Sequence, residues 1–403
     1  MNKDIKIFIY SLLFINLYNW ISIVEFKYGI PSIFKYILSV SAIGAILYYK
    51  ILYPSKPDSG RLFYPVIAVF TVWTTVMLIS AILKFNSFFF IQRIFGQRYF
   101  FLPYVLPLFL LYTRFNLAFF SRFFYYSFLF IIPAALIQVI IIPGLSVQNL
   151  HENIQRIGIF DIGSSFLLLT AHISKRKYIS AFALLYFFLM IILSILWGRR
   201  GMLIEYGLLL IFMTYIRLRS SLVIRSHRFK IYISVLSFII LILALGYLFE
   251  NTLVFQRGFS KAGFEESRGL VLEDFFIDFK SNSDWIFGRG LDGTILRTID
   301  TETGTENFIE NGFLTIILKG GLFYLIPFIL ILLRASYVGF YKSNNDLSMA
   351  LAAILLIHLV IMFTFNLPDY SSKYIFIWIA ISASFTREIR QLSNDEIYEA
   401  INA

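Results

Sequence analysis

Glu310 and Asn311 stand immediately before a long apolar run that carries Lys319, Gly320 and Gly321. A carboxylate at a helix entrance is favoured there by the helix dipole and can act simply as a cap. Partly desolvated at a membrane surface, its pKa can also rise toward that of a general base. Two sets of arginines could work beside it. Gly198-Arg199-Arg200-Gly201 lies between two apolar runs, with Glu205 just over one helical turn further on. The planar guanidinium fork suits anionic oxygens and stays charged at any relevant pH, so a lipid pyrophosphate is the natural anion at that depth. The plainer alternative is that these arginines reach lipid head groups or pair with Glu205. The second set is Arg257, Arg268 in Ser267-Arg268-Gly269 and Arg289 in Phe287-Gly288-Arg289-Gly290. Each could neutralise a phosphate or be a surface charge, and Arg289 sits between glycines that let backbone approach a ligand closely.

Other templates give little. The four histidines, His151, His172, His227 and His358, are scattered without ligand spacing, Asp300-Thr301-Glu302 is an isolated acidic pair, and cysteine is absent. A site without metal or cofactor is therefore expected, and neither disulfides nor thiolate chemistry is available. Gly288 through Gly293 fits G-x-G-x-x-G, but that pattern binds dinucleotides only between a strand and a helix, and no α/β pattern surrounds it here. The net charge of +11 is spread over segments flanking apolar runs, which is the signature of membrane topology rather than of nucleic-acid binding.

The elements that must position these residues are membrane helices. The 403 residues are 59% hydrophobic and 15% charged, and the mean hydropathy is +0.76, values that place the chain among membrane proteins. Apolar runs long enough to cross a hydrocarbon core of about 30 Å predict an all-α polytopic membrane protein of about twelve transmembrane helices. The expected spans are roughly 5–24, 33–53, 62–83, 99–113, 123–142, 157–174, 178–197, 202–217, 231–249, 313–333, 347–366 and 372–386, forming one membrane domain over 1–403. The first run is followed by Glu25-Phe26-Lys27 rather than a cleavage site, so it reads as a retained helix. The fourth span, interrupted by Pro103 and Pro107, is the weakest, and its loss would invert everything upstream.

Lys175-Arg176-Lys177 and the group Arg217, Arg219, Arg225, Arg228 and Lys230 set the orientation, because short basic loops stay in the cytoplasm. Alternation then puts both termini inside, and leaves one large extracytoplasmic loop, 249–310, between the ninth and tenth spans. From Glu250 through Glu310 it holds twelve of the 24 acidic residues and six of the 35 basic ones, a balance of −6 against +17 elsewhere. Within it, Leu272, Phe275, Phe276 and Phe279 share one helical face and Glu273, Asp274, Asp278 and Lys280 the other, as in a helix lying in the membrane interface.

At these residues the chain resembles the O-antigen polymerase and O-antigen ligase superfamily. The resemblance covers roughly residues 195 to 325. It rests on the Gly198-Arg199-Arg200-Gly201 turn, on Ser267-Arg268 followed by Phe287-Gly288-Arg289-Gly290, and on Glu310-Asn311, nine residues, then Gly321-Leu322-Phe323-Tyr324. Glu310 stands where the ligase signature has histidine, which favours the polymerase member. The resemblance implies polymerisation of undecaprenyl-pyrophosphate-linked repeat units into O-antigen or capsule at the outer face of the bacterial cytoplasmic membrane, by an inverting, metal-independent glycosyltransferase. Its implied partners are the lipid-linked glycan donor and acceptor, the bilayer, and room for a chain-length regulator. Glu310, Arg200 and Arg268 would be catalytic, with Arg199, Arg289, Asn311 and Arg257 binding substrate. The alternatives are an O-antigen ligase with another acceptor, and a flippase for lipid-linked oligosaccharides.

Overall fold

Apolar chain surrounded by lipid must satisfy its backbone hydrogen bonds internally, and helices do this within a single segment. The computed structural model describes residues 3–28, 31–84, 88–140, 162–196, 200–220, 268–297, 304–307, 309–364 and 367–402. Over these the protein is an all-α membrane protein apart from one small ribbon. In chain order the elements are α1 (Lys3–Tyr28), α2 (Ile33–Leu52), α3 (Tyr64–Lys84), α4 (Phe88–Gly96), α5 (Leu102–Leu111), α6 (Leu117–Ile140), α7 (Ile162–Thr170), α8 (Lys177–Leu196) and α9 (Arg200–Ser220). There follow α10 (Arg268–Asp278), α11 (Asn282–Phe287), β1 (Ile295–Arg297), β2 (Gly304–Glu306), α12 (Gly312–Tyr341), α13 (Asp346–Ile361), α14 (Ser372–Phe385), α15 (Arg387–Gln391) and α16 (Asn394–Asn402). Among the described residues six helices, α1, α2, α3, α8, α9 and α12, are long and apolar enough to cross a membrane, while α5, α13 and α14 are apolar but shorter.

The ninth expected span, 231–249, lies outside the described residues, as do residues 157–161 of the sixth, whose described part is α7 followed by a 3-10 turn over Ala171–Ile173. Four short helices, α4, α11, α15 and α16, were not anticipated. The last has a reciprocal cap that its sequence encodes: Ser393 Oγ accepts from Glu396 N at 3.2 Å, and Glu396 Oε2 accepts from Ser393 N at 2.7 Å. These bonds hold the Glu396 carboxyl below its ordinary pKa, so the cap is intact above the usual carboxylate range and is lost as acid protonates Glu396.

Long-range contacts sort the connections onto two faces of the bundle. On one, which carries the basic segments, Ser55 N bonds Tyr112 O at 2.9 Å, Asp58 N bonds Phe385 O at 3.3 Å, Ser121 Oγ bonds Ala400 O at 2.7 Å and Lys175 N bonds Asn402 Oδ1 at 2.7 Å. Asp4, at the start of α1, accepts from Tyr48 Oη there at 3.1 Å. On the other, Tyr18 Oη bonds Gly96 O at 3.1 Å, Tyr370 N bonds Arg98 O at 2.8 Å, and Arg93 pairs with Asp292. The proline-interrupted segment of the fourth expected span therefore runs from one of these faces to the other, with the ten-residue α5 as its helical part. Arg98 before α5 sits at the start of α14, and Thr113 after α5 accepts from Ser382 near the end of α14.

Arg98 and Asp369 form a buried ion pair on the second face, their side chains 11% and 10% exposed. Burial works against the Arg98 charge, but Asp369 outweighs it and leaves the guanidinium above its ordinary pKa. Asp369→Asn would strand that cation and is expected to destabilise by about 3–5 kcal/mol. Thermal unfolding in detergent should show it, with Arg98→Met/Asp369→Leu recovering much of the loss.

The core is aromatic where α3, α5, α12 and α14 cross. Phe70 stacks on Trp378 at 5.3 Å between centroids and meets Tyr324 at 5.0 Å, and Tyr324 meets Tyr104 at 5.5 Å. Such pairs add about 1 kcal/mol each to the apolar burial. In the predicted interface helix, now α10, Phe275 and Phe279 are buried against Trp285 while Phe276 is 56% exposed. Asp274, expected on the polar side, is buried too.

α12 decides the architecture of the second face. Its 30 residues would reach about 45 Å if straight, far more than the membrane needs. Gly321, at φ 64° and ψ −170°, breaks it, and the piece from Leu322 to Tyr341 is about 30 Å by itself. The first piece, Gly312–Gly320, starts beside the end of α13: Gly312 N donates to Met362 O at 2.8 Å. Because α13 rises only about 24 Å from the turn it shares with α12, the first piece runs across the bundle instead of continuing the axis. A helix break at this depth exposes carbonyls, and the loop segment satisfies them. Arg289 N donates to Leu318 O at 2.8 Å, Gly290 N to Lys319 O at 3.1 Å, and Trp73 Nε1 to Gly320 O at 2.7 Å. Lys319, buried, returns a bond from Nζ to Gly293 O at 2.8 Å.

Candidate functional site

The first piece of α12 has Glu310 and Asn311 at one end and the loop dock at the other, about 10 Å apart. At the Glu310 end, Asn311 is the helix N-cap: its Oδ1 accepts from Phe313 N at 3.0 Å and Leu314 N at 3.1 Å. Its Nδ2 donates to Phe363 O at 3.3 Å, in the turn after α13. Ile309 before it is fixed by Thr315, whose Oγ1 accepts from Ile309 N at 2.9 Å and donates to Ile309 O at 2.8 Å. Asn311, expected to bind substrate, thus has its carbonyl committed to the cap and Nδ2 engaged as well, so both ends of its amide hold the start of α12. Glu310 is partly exposed at the positive end of the helix dipole.

The same turn receives α9. Gly201 packs so closely on Thr364 that a Cβ there would lie 3.0 Å from Thr364 Oγ1. Arg200 opens α9 one residue earlier, so the helix starts carrying Arg200 and Glu310 flank one turn, 361–364. The Arg200 side chain, Arg199 and Arg257 lie outside the described residues. Arg268 is the first residue of α10, at the far end of that helix from Asp278, and its side chain is likewise outside the description.

Arg289 has a different part from the one expected. Its Nη1 reaches Asp278 Oδ2 at 2.5 Å and Thr294 O at 2.8 Å, its Nε reaches Asp284 Oδ2 at 2.9 Å, its Nη2 reaches Asp278 O at 2.9 Å, and its guanidinium covers the Phe279 ring. Partial burial opposes its charge, yet the bonds from Asp278 and Asp284 hold its pKa above the ordinary value. Four of the five N–H donors of the fork are committed inside the loop, so this arginine braces the loop, and the acids that give the loop its negative balance are partly its counter-ions. Arg289→Ala should destabilise the loop by about 1–3 kcal/mol. Limited proteolysis within 268–297 should accelerate accordingly; unchanged cleavage with lost substrate affinity would return Arg289 to the ligand role. The glycines of the G-x-G-x-x-G match also belong to this dock: at Gly288 (φ 73°) a Cβ would lie 2.6 Å from Gly321 N.

Two residues that the sequence reading left aside join the site from below. Lys373, the second residue of α14, pairs with Glu205 of α9 at 2.5 Å, their side chains 18% and 11% exposed. The acid that could have held the Gly198–Gly201 arginines is therefore engaged by Lys373. His358 of α13, 4% exposed, has no hydrogen-bond partner on either ring nitrogen. With Ser165 these side chains wall a cavity that leaves about 20 Å³ for the centres of water molecules. The only signal for them in the sequence was charge inside an apolar run, which marks functional candidates in membrane helices. Among the described residues no three His, Asp or Glu side chains gather as metal ligands would.

No family model matches the chain, and neither a curated protein nor a solved structure matches it.

Proposed function

We propose that the protein is an inverting glycosyltransferase of the bacterial cytoplasmic membrane, polymerising undecaprenyl-pyrophosphate-linked oligosaccharide repeat units at the outer face. The observation that carries this reading is the meeting of the helix starts of Glu310 and Arg200 on the 361–364 turn. A base and a diphosphate ligand must both lie within a few ångströms of the anomeric carbon, and the approach of these two helix starts to one turn supports giving them those parts.

In the proposed reaction the acceptor hydroxyl oxygen attacks the anomeric carbon, the bond from that carbon to the diphosphate breaks, and Glu310 takes the hydroxyl proton. Attack from the side opposite the leaving group inverts the configuration. Arg200 and Arg268, with Arg199 and Arg257 nearby in sequence, would hold the diphosphate and stabilise the charge that grows on it. Because the donor is already activated, positioning and charge management suffice. The two helix N-termini at the mouth add a favourable field for an anion. The basic face of the bundle is assigned to the cytoplasm by the positive-inside rule, and both termini with it.

Arg200→Ala in cells lacking the native copy provides the test, read as polysaccharide length on a gel. The ladder should collapse to single repeats with membrane insertion intact. Long unattached lipid-linked chains in the deletion would instead indicate a ligase.

A further inference from the structure

We propose that the cavity walled by Ser165, Glu205, His358 and Lys373 is a subsite for one anionic oxygen of the substrate diphosphate, entered when Lys373 turns away from Glu205. The inference rests on the glycosyltransferase reading for its ligand but on separate residues for its evidence.

The cavity lies just beneath the 361–364 turn. His358 is one turn before the end of α13, Lys373 one residue into α14, and Glu205 just over one turn into α9. Three chain segments that form the mouth thus each send a polar group into the same space. A buried imidazole with neither nitrogen bonded leaves a donor and an acceptor unsatisfied, a desolvation cost that persists unless something occupies the cavity. Most of the wall is apolar (Leu209, Ile354, Ile357, Phe376 and Ile377), and into it project the imidazole, the Ser165 hydroxyl and the Lys373 ammonium, with the Glu205 carboxylate engaged by that ammonium. Three of these four polar groups can donate to a single phosphate oxygen in the water-sized opening. A lysine tethered to a nearby acid is also a lysine that can exchange that acid for a stronger, doubly charged partner. Glu205 then acts as a parking site that keeps Lys373 from remaining an unpaired buried cation between turnovers.

The exchange predicts an unusual sign. Removing the Glu205 charge should tighten diphosphate binding, because Lys373 no longer has to leave a partner. Full-length protein in nanodiscs would be titrated with farnesyl diphosphate, inorganic pyrophosphate and farnesol, following tryptophan fluorescence. Glu205→Gln is expected to bind both diphosphates at least about threefold more tightly, Lys373→Met about tenfold or more weakly, and Lys373→Arg within about threefold of wild type, with farnesol unaffected throughout. His358→Phe, which fills the cavity without a donor, should weaken both diphosphates with little change in thermal stability. Glu205→Gln that weakens binding, or Lys373→Met that leaves it unchanged, would overturn the subsite and make the pair purely structural. A lost polysaccharide ladder with an unchanged Lys373→Met affinity defeats the subsite alone; the binding pattern above with a wild-type ladder in Arg200→Ala defeats the polymerase reading alone.

Discussion

A Gly321→Ala chain is expected to fail as a folded membrane protein. The added Cβ would lie 2.2 Å from Ile286 O and 2.6 Å from Gly288 N, and the residue holds φ at 64°. Neither contact is with a flexible side-chain end, so relief requires undocking the 286–293 segment from the α12 break. That would leave the carbonyls of Leu318 and Lys319 without the bonds they receive from Arg289 N and Gly290 N, each a buried acceptor worth roughly 1–3 kcal/mol when orphaned. Adding backbone strain of about 1–3 kcal/mol, the expected loss exceeds about 3 kcal/mol, in the range where single substitutions unfold proteins. Size-exclusion profile and thermal midpoint in detergent would report it. Gly44→Ala in α2, where a Cβ meets nothing within 4 Å, should behave as wild type. A Gly321→Ala protein of wild-type stability would show that the loop does not depend on this dock.

The second large effect is chemical. Glu310→Gln keeps the shape of the side chain and removes its ability to accept a proton, so repeat-unit transfer should fall by about 10²- to 10⁴-fold. Expression and melting temperature are measured in parallel, because a fall in rate at unchanged melting temperature assigns the loss to the proton acceptor, the helix start being capped by Asn311 and tied through Thr315 to Ile309. Asn311→Ala makes the complementary comparison. Losing the cap should cost about 1 kcal/mol and lower the rate through misplacement of Glu310. A Glu310→Gln protein with normal rates would remove the base from the mechanism.

Much of the helical framework was legible because lipid-facing chain leaves its mark as uninterrupted apolar runs. Those runs locate α1, α2, α3, α8, α9, α13 and α14 to within a few residues. The approach of the starts of α9 and α12 to the 361–364 turn fits the expectation that both begin on the same face of the bundle. What local pattern does not carry is pairing across the chain. Lys373 meets Glu205 across 168 positions, and no periodicity announces that. The break in α12 was written in Gly320-Gly321, yet consecutive glycines state only that the backbone is free to turn. That a second glycine segment fills the break is a tertiary fact. Arg289 illustrates the same limit from the other side. Flanking glycines suggested a ligand, whereas they admit the α12 backbone, and the arginine serves the loop's own aspartates.

The most direct trial of the central claim is reconstitution of the purified protein in liposomes with an undecaprenyl-pyrophosphate-linked oligosaccharide repeat, followed by mass analysis of the lipid-linked glycans. The account predicts chains lengthened by whole repeats, inverted linkages and one released undecaprenyl pyrophosphate per bond formed, all lost with Glu310→Gln. Repeats that cross the bilayer without lengthening, or lengthening that survives Glu310→Gln, would contradict it.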